Sequence, residues 1–537
     1  MQTAIFVGLS ALAVYVVKLV LEFHRAVASV GNHPGLRQVF STVLRNRLST
    51  VRNRRWFTKH LDFEKHGWDG ITDVCAWPRA NKGIVLADAA AIKDVTLSRA
   101  RFPKPVHRYE SLVFFGRNIV ASEGDEWKKY RKVSAPAFSE KNNKLVWDES
   151  VRIMADMFNT RWNNADEVTI DHCVEITLPI ALFVIGVAGF GRKMSWKEDT
   201  TVPPGYTMSF KDALHTVSTG TITKLIVPTW AMGLTKHLRH VKAAFNELDV
   251  GFLNFQRLLI QIVHHPYFQA YMFDMIKARK ESERKEERYD LFSQLLDASQ
   301  DGTEDGGAQM SDRELIGNIF IFLLAGHETT AHTLCFTFAM LALYPEEQDR
   351  LYQEIKSLMP DRSRLPTYDE MNSFKYSMAV FYETLRMFPP VTNIPKMSAE
   401  DTSIIVGNSA GATTAIPCPT GTYITIHTPG LHYNPRYWSD PSSFKPERFL
   451  GDWPKEAFLP FSAGPRACLG RRFFETEGIA ILTMLMSQYK VTVKEEPQFA
   501  GETFEERKTR VLNSKPGLTM TPIRVPLTFT RRAFTSD

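Results

Sequence analysis

The 537-residue chain has no C-x-x-C pair and no N-x-[ST] sequon, and its five cysteines (Cys75, Cys173, Cys335, Cys418 and Cys468) are scattered and odd in number. That pattern excludes a disulfide framework and a zinc ribbon, and it fits a reducing compartment. No nucleic-acid-binding module is recognisable, so no nucleic acid is expected as a partner. Acidic residues are missing altogether from His24 to His60, where eight arginines and lysines stand. Taking those eight from the total of 65 leaves 57 basic residues against 59 acidic ones, so the net charge of +6 resides in this collar. The rest of the chain is near neutral. With 44% hydrophobic and 23% charged residues, the composition is that of a globular protein rather than a disordered one.

Charge is also absent from the first 17 residues. Ala4 to Leu21 is an apolar run of 18 broken only by Lys18. That length just reaches across a bilayer, and Lys18 can snorkel to the interface. A cleaved signal peptide would instead have a charged leading end and a shorter apolar core. The basic collar lies wholly on the C-terminal side of the run, which directs the remainder to the cytosol. The expected organisation is a transmembrane signal anchor over 1–22, a basic membrane-proximal linker over 23–60 and a globular domain over 61–537.

Helical patterns dominate the middle of the chain. Ser311-Asp-Arg-Glu314 has the form of a capping box, and the apolar pattern runs from there to Tyr344, where Pro345 ends it. Such a helix is about 50 Å long. A second membrane span is the alternative reading, but His327, Glu328 and His332 fall mid-run and would be costly in lipid. Between about 404 and 430, Ile, Val, Thr and Tyr alternate with Gly and Pro, which predicts short strands. Arg279 to Arg288 reads as a solvated helix face and Gln300 to Gln309 as a loop.

Phe461-Ser-Ala-Gly-Pro-Arg-Ala-Cys-Leu-Gly470 places Cys468 in a Gly/Pro-rich turn ahead of an apolar, helix-like stretch. A thiolate there can ligate iron. Gly464 and Gly470 let backbone come close to a flat cofactor, with N–H groups available to the sulfur. The plain alternative is a small buried thiol, the commonest fate of a free cysteine. Ala325-Gly326-His327-Glu328-Thr329-Thr330 puts an acid beside an alcohol inside an apolar helix, an arrangement that needs a reason. Gly326 removes a side chain where something flat could pack. For Thr329 the alternative is a bond back to a carbonyl one turn earlier. A zinc site of the H-E-x-x-H kind fails, because the second histidine, His332, falls at i+5 and position 331 is alanine.

Three further strings complete the set. Glu383-Thr-Leu-Arg386 is an i,i+3 ion pair, with Pro446-Glu447-Arg448-Phe449 further on. Trp127-Lys-Lys-Tyr-Arg131 sets an indole N–H and a guanidinium on one helix face.

Together these strings, in this order, resemble the cytochrome P450 family. F-x-x-G-x-R-x-C-x-G is similar to its haem-binding loop, A-G-x-E-T-T to its oxygen-activation signature, and E-x-x-R with P-E-R-F to its structural triad. The resemblance covers roughly residues 60 to 525. It implies a mainly α fold with small β-sheets, preceded by the single transmembrane helix, so that 61–537 is a haem-thiolate catalytic domain. It implies heme b with Cys468 as the axial metal ligand and with Phe461, Gly326, Trp127, Arg131 and Arg466 as cofactor-binding residues, the last three toward the propionates. Asn393 and Lys396 stand where many members carry another cation. Thr329 would hydrogen-bond dioxygen and Glu328 would relay solvent protons to it. Glu383, Arg386 and Arg448 would support the haem loop.

The activity implied is insertion of one oxygen atom of O2 into a lipophilic substrate, a terpenoid or other secondary metabolite of the fungal kind. Only 69 residues follow Cys468, too few for a flavin or nucleotide module. Electrons would therefore come from NADPH through a separate NADPH–cytochrome P450 reductase. Lys128, Lys129, Arg131, Lys132, Arg471 and Arg472 are candidates for its docking face. The apolar segments around Phe102 to Ala121 (with Leu112, Val113, Phe114 and Phe115), Phe320 to Ala325 and Val391 to Ile394 are candidates for the pocket lining. The location implied is the endoplasmic reticulum membrane, single-pass, with the catalytic domain facing the cytosol. A haem-thiolate isomerase or dehydratase acting on a peroxide and a non-catalytic haem-binding sensor stay open as alternatives.

Overall fold

The computed structural model describes residues 2–40, 54–191, 194–196, 288–301 and 309–533, apart from 114, 362 and 363, together with a few isolated positions between 197 and 287. The run from 279 to 287, most of the loop after 300, Phe114 and Arg45, Arg47 and Arg52 of the collar lie outside the described residues. The chain forms two units. The first comprises Met1–Pro105, Tyr382–Cys468 and Ser514–Ile523; the second comprises Val106–Phe381, Leu469–Asn513 and Arg524–Asp537.

In the first unit the N-terminal helix runs Gln2–Ser29. Its stretch Ile5–Ser29, of mean hydropathy 2.1, is long and apolar enough to cross a membrane and is not buried by the protein. Helix thus continues beyond the apolar run, through Ser29. Gly31 and Asn32, both at positive φ, turn the chain into the strand Gly35–Phe40, within the stretch read as linker. This strand pairs in parallel with Gly70–Trp77. The turn is held by His33 Nε2 against Gly70 O at 2.8 Å, while Arg37 Nη2 donates to His33 O at 2.7 Å. The sheet continues through Asn81–Leu86, Tyr423–His427 and Asn393–Met397. Its core is built from Ile71, Val74, Ile84, Val85, Ile424 and Ile426. Thr402–Gly407 and Thr413–Cys418 form a hairpin beside it. The β-branched stretch 404–430 is therefore stranded, as its pattern predicts.

The second unit is helical. Its longest member, Asp312–Leu343, begins on the predicted capping box: Ser311 Oγ accepts from Glu314 N, and the Glu314 carboxylate accepts from Ser311 N. Tyr344 caps its end, and Pro345 opens the next helix, Pro345–Leu358, at a position where no N–H is needed. This rod of about 48 Å is mostly buried, so its hydropathy is that of a core helix and not of a second span. It packs against Val174–Val184, whose helix widens into a π turn at Ile185–Gly189. The helix after the cysteine loop, Arg471–Gln488, packs against Glu140–Asp156. A three-stranded sheet of Glu167–Ile170, Leu527–Arg531 and Tyr489–Val493 completes this unit.

Candidate active site

The cysteine loop belongs to the first unit. Of the five cysteines, Cys75, Cys173, Cys335 and Cys418 are buried and Cys468 alone is exposed. The reading of Cys468 as a small core residue therefore does not hold. The loop is set by backbone: Cys468 N donates to Phe461 O at 2.9 Å and Ala467 N to Gly464 O at 3.0 Å. Ser462 and Gly464 both take positive φ. A Cβ at Gly464 would come within 2.5 Å of Thr96 O, so this position requires glycine on both counts. Phe461 and Arg466 are half-buried beside the sulfur-bearing turn.

Behind the loop stands a lattice of charge. Glu383 and Arg386, on the helix Lys375–Met387, are fully buried and joined as a fork, Nε to Oε2 at 2.7 Å and Nη2 to Oε1 at 2.8 Å. Arg448 Nε reaches the same carboxylate at 3.2 Å, and Lys445 N donates to it at 2.9 Å. The guanidinium of Arg386 donates onward to His432 O and Pro441 O, and that of Arg448 to Asp440 O. The i,i+3 pair is thus an interior clamp on residues 432–448, not the solvated decoration such a pair usually is.

Sequence reasoning missed the residue that carries this clamp toward the cysteine. His432 is fully buried, and its Nε2 accepts from Leu459 N at 2.8 Å, two residues before Phe461. Since Leu459 N–H must donate, the ring proton sits on Nδ1, which donates to Arg386 O at 2.9 Å. Burial, with Arg386 nearby, holds this imidazole neutral by drawing its pKa down to about 3. The only sequence signal was a histidine shortly before Pro-Glu-Arg-Phe, which by itself says nothing.

In the second unit the long helix is interrupted as a core element at its centre. Ala325 is exposed and Gly326, Glu328 and Thr329 are half-buried, while Leu323, Leu324, His327, Thr330 and Ala331 around them are buried. Thr329 Oγ1 donates to Ala325 O at 2.6 Å and Thr330 Oγ1 to Gly326 O at 2.7 Å. The back-bond read as an alternative for Thr329 is therefore present. It keeps the hydroxyl oxygen available as an acceptor. Gly326 meets the Ile185 side chain, 3.2 Å from where a Cβ would be, so helix packing also asks for a small residue there. His327 is buried against Leu323 O.

Trp127 is buried and Arg131 half-buried on the helix Gly124–Ser134, one turn apart. Between them Lys129 Nζ and Tyr130 Oη reach Glu314 at 2.8 and 2.9 Å. Burial alone would raise the Glu314 carboxyl. The bonds from Lys129, Ser311 and Tyr130 instead pull it down to about 2. Arg471 is likewise paired, with Glu475 at 2.8 Å. Lys129 is thus engaged within the fold, Arg471 is exposed with Glu475 as its partner, and Lys128, paired with the exposed Asp125 on its own helix, and Lys132 are exposed as well. In this unit the Phe115 and Phe320 rings meet tilted, with centroids 4.2 Å apart, and Leu112, Ile119 and Leu324 are also buried. Asn393 is exposed and Lys396 buried on their strand in the first unit.

The family model described as Cytochrome P450 matches residues 74–519. The chain belongs to the cytochrome P450 family. It is 52% identical over 540 residues to Cytochrome P450 monooxygenase 124 of Postia placenta, covering 99% of this chain and all of the relative. Cytochrome P450 monooxygenase prx9 of Penicillium rubens is 30% identical over 452 residues, 76% of this chain and 74% of that one. In fold it resembles the crystal structure of the cytochrome P450DA heme domain, with a TM-score of 0.68 at 20% identity, over 91% of this chain and 95% of the other. This cytochrome P450 is an oxidoreductase of the monooxygenase class, and the family's cofactor is haem with a thiolate on its iron. The fit is chemical. An exposed thiol lies in a loop with bare backbone, and in the other unit an exposed alanine and a half-buried glycine lie beside an acid and an alcohol.

Proposed function

We propose that Cys468 supplies the thiolate to haem iron and that the enzyme inserts one oxygen atom from O2 into a C–H bond of a lipophilic substrate. The observation that carries this reading is the exposure of Cys468, alone among five cysteines, in a loop whose conformation is fixed by backbone bonds and an obligatory glycine. Trp127, Arg131 and Arg466 would hold the propionates, with Phe461 and Gly326 as further cofactor-binding residues. When bound, haem supplies the oxidising chemistry, with the thiolate favouring O–O cleavage. The chain's own part is to deliver protons and exclude water. Thr329, already donating to Ala325 O, offers its oxygen to a proton donor, and Glu328 beside it passes protons in from solvent.

Two electrons per turnover come from NADPH through a separate membrane-bound reductase, which docks on Lys128, Lys132 and their surroundings by charge. The stretch Ile5–Ser29 anchors the chain in the endoplasmic reticulum membrane, with the catalytic part in the cytosol. The aromatic and aliphatic wall of Leu112, Phe115, Ile119, Phe320 and Leu324 suits an apolar substrate, a terpenoid or a related secondary metabolite.

The test is a Cys468→Ser variant of the full chain, with carbon monoxide difference spectra and turnover on a panel of terpenes, sterols and fatty acids with NADPH, reductase and O2. The thiolate spectrum and all product should disappear. A variant that keeps both defeats the reading. Turnover of a peroxide substrate without reductase would show an isomerase or dehydratase instead.

A further inference from the structure

The start of the long helix is a seat for residues 115–130. Glu314, Gly317 and Asn318 fall at i, i+3 and i+4 and so share one face of that helix. Glu314 takes Lys129 and Tyr130. Gly317 meets bare backbone. A Cβ there would lie 2.5 Å from Arg117 O and 2.7 Å from Gly116 C. On the other side Gly116 sits at φ +138°, and a Cβ on it would lie 2.2 Å from Arg313 O. Two main chains therefore touch where neither can carry a side chain.

Asn318 is the bond across this contact. It is fully buried, and its Oδ1 accepts from Ile119 N at 2.9 Å, 199 residues back along the chain. A backbone N–H can only donate, so the amide oxygen is the atom that faces it. The amide nitrogen then donates to Glu314 O at 2.8 Å, within its own helix. On local grounds asparagine is a poor choice for a helix interior, because its side chain competes for backbone bonds. The bond to the loop gives the residue its reason. Within the loop, Asn118 Oδ1 accepts from Val120 N and Ala121 N at 3.1 and 3.0 Å, and Asn118 Nδ2 donates to Leu112 O at 2.7 Å. Two asparagines thus hold the three consecutive N–H groups of 119–121. The tilted Phe115–Phe320 ring pair ties the same loop to the same helix.

We propose that Asn318 is a positioning residue for substrate selection, latching the loop 115–121 onto the long helix so that the apolar wall of Leu112, Phe115, Ile119 and Phe320 is formed before substrate arrives. A wall fixed in this way selects by shape, because a misfitting substrate must break the latch or leave apolar surface uncovered. A wall on a free loop would re-pack around many shapes. Asn318 acts through the loop and is not itself a contact for substrate. The inference rests on the reading of that wall as substrate-facing for its functional consequence, but not for the latch.

The experiment uses the full-length holoenzyme with Asn318→Ala, Gly317→Ala and, as a control, Thr337→Ala. Thr337 is likewise fully buried and bonds Thr333 O at 2.8 Å, about five turns further along the same helix. In hydrogen exchange read by mass spectrometry, Asn318→Ala should speed peptides covering 115–121 about ten-fold, the equivalent of one ordinary hydrogen bond. Gly317→Ala should do at least as much with the Asn318 side chain still in place. Thr337→Ala should leave that loop as slow as in wild type. The second readout is the spectral Kd of linear and branched 1-alkylimidazoles of equal carbon number, used as probes of shape. Its spread across the series should narrow about ten-fold in Asn318→Ala and stay within about two-fold of wild type in Thr337→Ala. Unchanged exchange at 115–121 in Asn318→Ala overturns the latch. Faster exchange with an unchanged spread, or equal narrowing in Thr337→Ala, overturns its part in selection. A wild type that gives no spectral shift with any of the imidazoles, while the exchange pattern holds, would overturn the haem-thiolate reading instead.

Discussion

Glu383 in the first unit and Glu477 in the second are both interior carboxyls, and the surroundings treat them oppositely. Glu383 meets two guanidinium groups and a backbone N–H, with three bonds on Oε1 and one on Oε2. Glu477 is buried with no counter-charge among the described residues, and burial pushes its carboxyl well up. The first arrangement makes a stiff clamp, because no member can leave without exposing a bare ion to the interior. The second leaves no cation stranded among the described residues when its carboxyl is removed.

The sharpest break in this comparison is Glu383→Ala. It strands Arg386 in the interior and should cost about 3–5 kcal/mol, read as loss of holoprotein yield and of thermal stability. If it costs no more than Glu477→Met, the distinction between the two interior carboxyls is wrong. Next is Gly464→Ala, which forces a side chain into the left-handed region and against Thr96 O. The strain alone is worth about 2–3 kcal/mol. It should surface as faster conversion of the carbon monoxide complex away from its thiolate form, with the long helix untouched by hydrogen exchange.

How far the sequence disclosed this contrast follows from where each partner lies along the chain. The long helix was legible to within a residue at both ends, since capping box and proline are local signals. The Glu383–Arg386 pair was legible too, though not its burial, which depends on segments 46 to 65 residues away. The strand Gly35–Phe40 was hidden in a basic stretch because its partner, Gly70–Trp77, lies far along the chain. Glu477 and His432 were missed for the same reason: one polar residue in an apolar run means nothing until its neighbour is known. Lys129 misled in the opposite direction, since a lysine in a basic cluster looks solvated until Glu314 is found beside it.

His432 extends the clamp, and pH probes it. Its pKa is about 3 in the fold and 6.5 ordinarily. Between those values the unfolded chain binds a proton that the folded chain refuses. The stability it contributes is therefore complete above pH ~6.5 and is lost as pH falls, by about 2 kcal/mol at pH ~5. His427, also buried and held near 3, adds a similar loss. Urea unfolding at both pH values should show His432→Gln losing less than the wild type by the His432 contribution, with that of His427 and of the other burial-lowered histidines His33, His60, His66 and His172 retained. A slope unchanged by the substitution would remove His432 from the clamp.

The smallest effect separates structure from docking in the basic cluster. Lys129 is partly buried and doubly bonded to Glu314, which also caps the long helix, whereas Lys128, whose partner Asp125 is itself in solvent, and Lys132 are exposed. Lys129→Met should therefore cost up to about 1 kcal/mol of stability. It should leave the salt dependence of reduction by the reductase unchanged, because its charge is already answered within the fold. Lys128→Glu should do the reverse, sparing stability and slowing reduction at low ionic strength, where steering by exposed charge is strongest. If Lys129→Met slows reduction as much as Lys128→Glu does, then Glu314 does not neutralise that lysine, and the start of the long helix belongs to the docking face after all.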